Sequence, residues 1–185
     1  MPSPPLMSVS DYLTKTPYTV RPMELIYGAL RVAESPTPRH QSIVADMFRA
    51  LDAHVRANKL GRMWLAPLDV VLDEDHALIV QPDLLFISNS RSTFVTDRIW
   101  GPPDLVIEVL SPEPRIGKLG ERVRWFAESG VRECWLVRQN EMSVEILPFD
   151  DRRLAGSRLF QRADGIQSTV LPGFRTSLAD IVSNG

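Results

Sequence analysis

The 185-residue sequence has a single cysteine, three histidines, no apolar run of membrane-spanning length and almost no net charge. Each shortage excludes something. Cys134, in Arg132-Glu133-Cys134-Trp135-Leu136-Val137, can form neither an internal disulfide nor a cysteine-based metal cluster. With no activating histidine near it in sequence, it reads as a small buried hydrophobe rather than a nucleophile. A formal charge of -2 supplies no global basic field, so contact with nucleic acid would have to run through a local patch. Met1-Pro2-Ser3-Pro4-Pro5-Leu6 lacks the basic-then-apolar pattern of a secretory signal. Together with the missing transmembrane run, this leads to the expectation of a soluble, cytoplasmic protein that does not enter a membrane. Trp64, Trp100, Trp125 and Trp135 are too scattered to form a stacking platform and read as packing. Repeats and low-complexity tracts are absent as well. One domain over residues 1–185 is expected, with residues 1–7 loose, long enough to bury a core without staples.

What is present is more pointed. Val80-Gln81-Pro82-Asp83-Leu84-Leu85-Phe86-Ile87 and Pro103-Asp104-Leu105-Val106-Ile107-Glu108-Val109-Leu110 each set an acid in an apolar run that reads as a buried strand. Burying a carboxylate costs several kcal/mol, of order, unless a cation or a donor meets it. Two such acids on successive strands, each near a Pro-Asp pair, suggest convergence on a metal.

Around them the chain reads as strands, helix, strands, helix, strands, which implies an α/β (α+β) mixed central sheet flanked by helices. Ser8 or Ser10 caps a short first helix before Pro17. Met23 to Ala33 is a hairpin turning at Gly28. Thr37 caps a long helix that has Pro38 in its first position and Val44, Met47, Leu51 and Val55 as its stripe. Strands are expected at Arg62–Ala66, Leu68–Leu72, Glu133–Val137 and Ser143–Leu147, with a polar loop over Ser88–Arg98. A second helix over Arg115–Ser129 carries the stripe Ile116, Leu119, Val123 and Phe126 and ends at Gly130. A last short helix starts from Ser177.

Gln81-Pro82-Asp83-Leu84-Leu85-Phe86-Ile87 and Gly101-Pro102-Pro103-Asp104-Leu105-Val106-Ile107-Glu108-Val109-Leu110-Ser111-Pro112 resemble the Uma-type family of restriction endonucleases, within the PD-(D/E)XK nuclease superfamily. Met23 to Gly28, Pro36 to Gln41, Gly130 to Val137 and Leu171-Pro172-Gly173-Phe174 match further landmarks in order, so the resemblance covers nearly the whole chain. It implies a restriction-endonuclease-like fold and hydrolysis of DNA phosphodiesters with Mg²⁺ or Mn²⁺. Asp83 would be the motif's aspartate and Glu108 the acid of the next strand, both of them metal ligands and catalytic. The lysine that usually follows two residues later is replaced by Leu110. The Uma-type pattern places it instead on the next helix, as an aspartate and, four residues on, a lysine; here Lys118 and Arg122 stand at those positions. Tyr27 and Ala29 replace acids often found on the hairpin.

Further candidates surround this pair. Asp104 shares a strand face with Glu108 and serves either as a ligand or as a turn-former. Asp69, on Leu68-Asp69-Val70-Val71-Leu72, is another acid in an apolar strand, and Glu24 is an additional acid on the hairpin. His40 lies one turn before Val44, where the helix dipole favours its neutral form. It is read either as a hydrogen-bonded core-edge residue or as a catalytic group that accepts a proton, binds metal or donates to phosphate. Arg115, Lys118 and Arg122 recur at i, i+3 and i+7 on one flank of the second helix. That row is either a solvated basic face or a set of DNA phosphate contacts, with Lys118 and Arg122 near the chemistry. Arginine holds its proton too firmly to act as a base, so the exchange at 122 would keep phosphate binding while threatening turnover. Two outcomes follow: a metal-dependent endonuclease working as a homodimer on DNA, or a degenerate nuclease fold that binds nucleic acid or assembles without cutting.

Overall fold

The computed structural model describes residues 6–16, 22–32, 35–111 and 119–182. Its first helix, α1 (Val9–Lys15), is capped by Ser8, which accepts from the Asp11 N–H while the Asp11 carboxylate accepts from the Ser8 N–H. Strands β1 (Met23–Ile26) and β2 (Ala29–Val32) form the expected hairpin. Its turn needs two left-handed residues, Tyr27 at φ 49° and Gly28 at φ 80°. A side chain at Gly28 would also press within 3.0 Å of the Met7 carbonyl.

Helix α2 (Pro38–Ala57) starts as its sequence dictates, with Thr37 accepting from His40 N and Pro38 in the first turn. Ile43, Val44, Met47, Leu51 and Val55 form its buried side. Strands β3 (Gly61–Leu65), β4 (Val70–Asp73) and β5 (Leu78–Val80) follow, displaced by a residue or two from the expected bounds of the first two.

The run Val80–Ile87 is not one strand, which corrects the reading that set Asp83 mid-strand. The chain leaves β5, crosses through Gln81-Pro82-Asp83, and enters β6 (Leu84–Ser88) in a different sheet. Pro82 has no N–H to give to a ladder, so the break falls there. The polar loop beyond contains a 3-10 turn over Asn89–Phe94. Then come β7 (Ile99–Trp100), β8 (Leu105–Leu110), α3 (Leu119–Ser129), β9 (Glu133–Arg138), β10 (Ser143–Asp150), β11 (Arg153–Leu154), β12 (Arg158–Phe160) and α4 (Leu178–Ile181).

The expected mixed sheet flanked by helices is built as two mixed sheets. One has the order β2-β1-β5-β4-β7; the other runs β11-β10-β9-β8-β6-β3, with β12 also on β10. Their parallel pairs are β4 with β7 and β8 with β9. The larger sheet packs one face against α2 and α4. Its other face meets α3 and the inner face of the smaller sheet, while α1 covers the smaller sheet's outer face. Being covered on both sides is why β8 reads as unbroken Leu-Val-Ile around Glu108. No helix among the described residues is long and apolar enough to cross a membrane.

Candidate active site

The ladder between β6 and β8 pairs Phe86 with Leu105, Leu85 with Val106 and Leu84 with Ile107. One further step of that register sets Asp83 opposite Glu108. Asp83 shares strand parity with Leu85 and Ile87, and Glu108 with Val106 and Leu110, all of which face the core between the two sheets. Because Asp83 lies in the link rather than in the ladder, its carboxylate replaces a backbone partner: Oδ2 accepts from Val109 N at 2.7 Å. The same oxygen lies 3.3 Å from His40 Nε2, brought there by the first turn of α2. Burial opposes a proton on His40, but the hydrogen bond and charge of Asp83 outweigh it and raise the imidazole's pKa. The direction is opposite to the one the helix N-terminus alone would give. A carboxylate in contact exceeds the partial charge of a helix end.

Glu108 meets a different cation. Arg122, 8% exposed, donates from Nε to Glu108 Oε1 at 2.8 Å. Its Nη1 and Nη2 form a fork on both oxygens of Glu24, at 2.9 and 2.8 Å. Glu24 Oε1 also accepts from Gln81 N at 2.7 Å. Arg122 therefore ties β1 of the smaller sheet to β8 of the larger one, across the helix that carries it. Burial works against its charge, yet Glu108 and Glu24 push its pKa further up. Glu108 moves up as well, to about 7. Burial is the leading cause; Arg122 counters it, and the charges of Asp83 and Glu24 add to it. One guanidinium shared between two carboxylates does not neutralise both.

The remaining candidates separate clearly. Asp69 accepts from Tyr12 Oη at 3.1 Å and Gln81 Nε2 at 2.8 Å, with Arg98 Nε at 3.3 Å. It supports the site through Gln81 and does not join it. Asp104, fully buried, sits at the far end of β8 and accepts from Ser88 N at 2.8 Å and Arg132 Nη1 at 3.1 Å. The ligand alternative for Asp104 is thereby corrected: four residues of strand carry it about 13 Å from Glu108. Arg115 and Lys118 lie outside the described residues, so only Arg122 of the basic row has a place, and that place is in the core rather than on a flank. Gln81 and Tyr12 escaped the sequence reading. Gln81 carries one signal, a lone polar residue between an apolar strand and Pro-Asp; Tyr12 carries none.

Among the described residues no three His, Cys, Asp or Glu side chains are grouped so as to hold an ion. That argues against an all-protein cage of the zinc type but not against a hard dication. Mg²⁺ takes one or two carboxylates and completes its shell with water and phosphate. Asp83 Oδ1 and Glu108 Oε2 accept no hydrogen bond from the described residues. The acids' mutual repulsion, visible in Glu108, is what a cation between them would relieve. The donor set fits such an ion.

A family model described as "Putative restriction endonuclease", Uma2, matches residues 11–179. Among solved structures the chain is similar to one from Anabaena variabilis, described as "a putative nuclease belonging to DUF820". The TM-score is 0.80 at 19% identity, covering 95% of this chain and 97% of that one. At that identity the likeness establishes the fold, and the fold expected from the sequence is the one found. No curated protein matches the chain. With the family match running from α1 through α4, over strands, helices and both acids alike, the protein belongs to the Uma2 family.

Proposed function

We propose that the protein is a divalent-metal-dependent endonuclease that hydrolyses DNA phosphodiester bonds. One observation carries this reading. The β6–β8 ladder ends at the Leu84–Ile107 pair, one residue short of Asp83 and Glu108; Asp83 accepts from Val109 N beside Glu108, and each acid has one carboxylate oxygen that no described donor takes. A bound Mg²⁺ or Mn²⁺ would lower the pKa of water and offset charge on a phosphate. The chain's own groups do the rest. The Val109 N–H and His40 hold Asp83 by Oδ2, so Oδ1 would be the oxygen that holds an ion. Arg122 holds Glu108 by Oε1 and leaves Oε2. His40, whose pKa the contact with Asp83 raises, would place a positive charge beside the incoming phosphate when protonated. Arg115 and Lys118 are the proposed phosphate contacts; Arg122 serves as an orienting residue, since its Nε, Nη1 and Nη2 are all engaged by acids. One domain per chain, two chains per working unit and recognition mainly of the phosphate backbone complete the proposal.

The test is cleavage of duplex and single-stranded DNA with Mg²⁺ or Mn²⁺. Cutting is expected from the wild type and is expected to vanish with a chelator and in Asp83→Asn and Glu108→Gln. Light scattering that finds only monomer at micromolar protein would remove the homodimer. A second reading, a non-cutting nucleic-acid-binding or interaction module, draws on Arg122 standing where the family pattern has lysine. DNA binding without cleavage by both wild type and Arg122→Lys would establish that reading instead.

A further inference from the structure

We infer that Arg122 is a built-in counter-cation that withholds Glu24 and one oxygen of Glu108 from divalent ions and so sets how many the site takes. Glu24 of β1 and Glu108 of β8 meet on one guanidinium, and Glu108 also feels the charge of Asp83 in the Gln81–Asp83 link. The guanidinium takes both oxygens of Glu24, at 2.9 and 2.8 Å, and Glu108 Oε1 at 2.8 Å. Gln81 N adds a further donor to Glu24 at 2.7 Å. An ion needs oxygens at roughly 2.0–2.6 Å, and at these three it would stand against the buried positive charge of the guanidinium, which disfavours it there. What remains without a described donor is Asp83 Oδ1 and Glu108 Oε2, one oxygen from each of two acids, which is the protein share of a single dication's shell.

The fork geometry makes Arg122 suited to this role. Its planar guanidinium fills three acceptors at once, and its 8% exposure leaves little room for an exchanging partner. A lysine could hold only a point contact and would leave Glu24 partly free. The inference rests on the nuclease reading only for the kind of ion at the Asp83–Glu108 pair.

The experiment is a Mn²⁺ titration of the full chain by calorimetry, comparing wild type, Arg122→Met and the double variant Glu24→Gln/Arg122→Met. One ion per chain is expected for wild type, two for Arg122→Met, and one again for the double variant. One ion on wild type and one on Arg122→Met overturns the inference and leaves the nuclease reading standing. No ion on wild type with one on Arg122→Met supports the inference and overturns that reading. No ion on either overturns both. Because Arg122→Met is strained without metal, its Tm is followed too. Mn²⁺ should raise it more than it raises the wild type, and a variant that stays unfolded at saturating Mn²⁺ counts against the inference. A purely structural strap between the sheets would change stability but not the number of ions.

Discussion

The two ends of β8 handle buried acids in opposite ways. At its start, Asp104 and the neighbouring Glu133 are completely buried and fully provided with donors. Ser88 N and Arg132 bond to Asp104, and Arg91 stands 3.6 Å away. Glu133 accepts from Trp135 Nε1 at 2.7 Å, Ser168 Oγ at 2.6 Å, Thr169 N at 2.9 Å and Thr169 Oγ1 at 2.6 Å. These acids fasten loops and the segment before Leu171 to the sheet. At the other end, Glu108 has one described donor, faces two further acids and holds its proton up to about pH 7. The lesson is that burial alone does not mark a site. A buried carboxylate saturated by donors is architecture; one left short of donors among like charges is the candidate for holding a ligand.

The largest difference between the two ends is expected at Arg122. Arg122→Met removes the partner of two buried acids and should cost about 3–5 kcal/mol without metal. In a chain of this size that lowers Tm by roughly 10 °C or more, readable by calorimetry. Glu133→Gln comes next: it turns an amide N–H₂ toward donors and should cost about 2–3 kcal/mol. Its response to Mn²⁺ should match the wild type's, and a lost response would dissolve the distinction between the two ends.

Glu108→Gln should act in the other direction. The folded pKa of Glu108 is about 7 against an ordinary 4.5, so the ionised form is disfavoured in the fold. Its contribution is fully present below about pH 4.5 and is lost as pH rises through about 7. Metal-free Glu108→Gln should therefore gain stability over wild type as pH rises across that window, as urea titrations at several pH values would report. His40 provides the smallest effect. Its raised pKa means that stability present below about pH 6.5 fades as pH climbs through the folded value. NMR titration should find the ring above its ordinary pKa in wild type and lowered in Asp83→Asn.

Local rules made much of the fold legible. Ser8, Thr37, Pro38 and Gly28 each specify a cap or turn through their own backbone chemistry, and the structure places them as such. The acid pair could be read because Glu108 interrupts an otherwise apolar strand. What stayed hidden depended on distant partners. The sheet change at Pro82 is masked by the apolar run on both sides of it, although the missing proline N–H is itself a break signal. The row containing Arg122 looked like a helix flank because the stripe drawn from Ile116, Leu119, Val123 and Phe126 assumed one packing surface. In fact α3 lies between sheets and buries Arg122, Trp125, Phe126 and Ala127. Its partner Glu24 stands far up the chain, and no periodicity reports that. Parity alone made Asp104 a companion of Glu108, whereas distance along the strand separated them.

The most direct measurement is the Mn²⁺-induced change in Tm for wild type, Asp83→Asn, Glu108→Gln and Glu133→Gln. Binding to the folded state alone raises Tm by mass action. A clear rise is predicted in wild type and Glu133→Gln and a much smaller one in Asp83→Asn and Glu108→Gln. A rise that survives both site substitutions, or that disappears equally in Glu133→Gln, would contradict the assignment of the Asp83–Glu108 pair as the metal site.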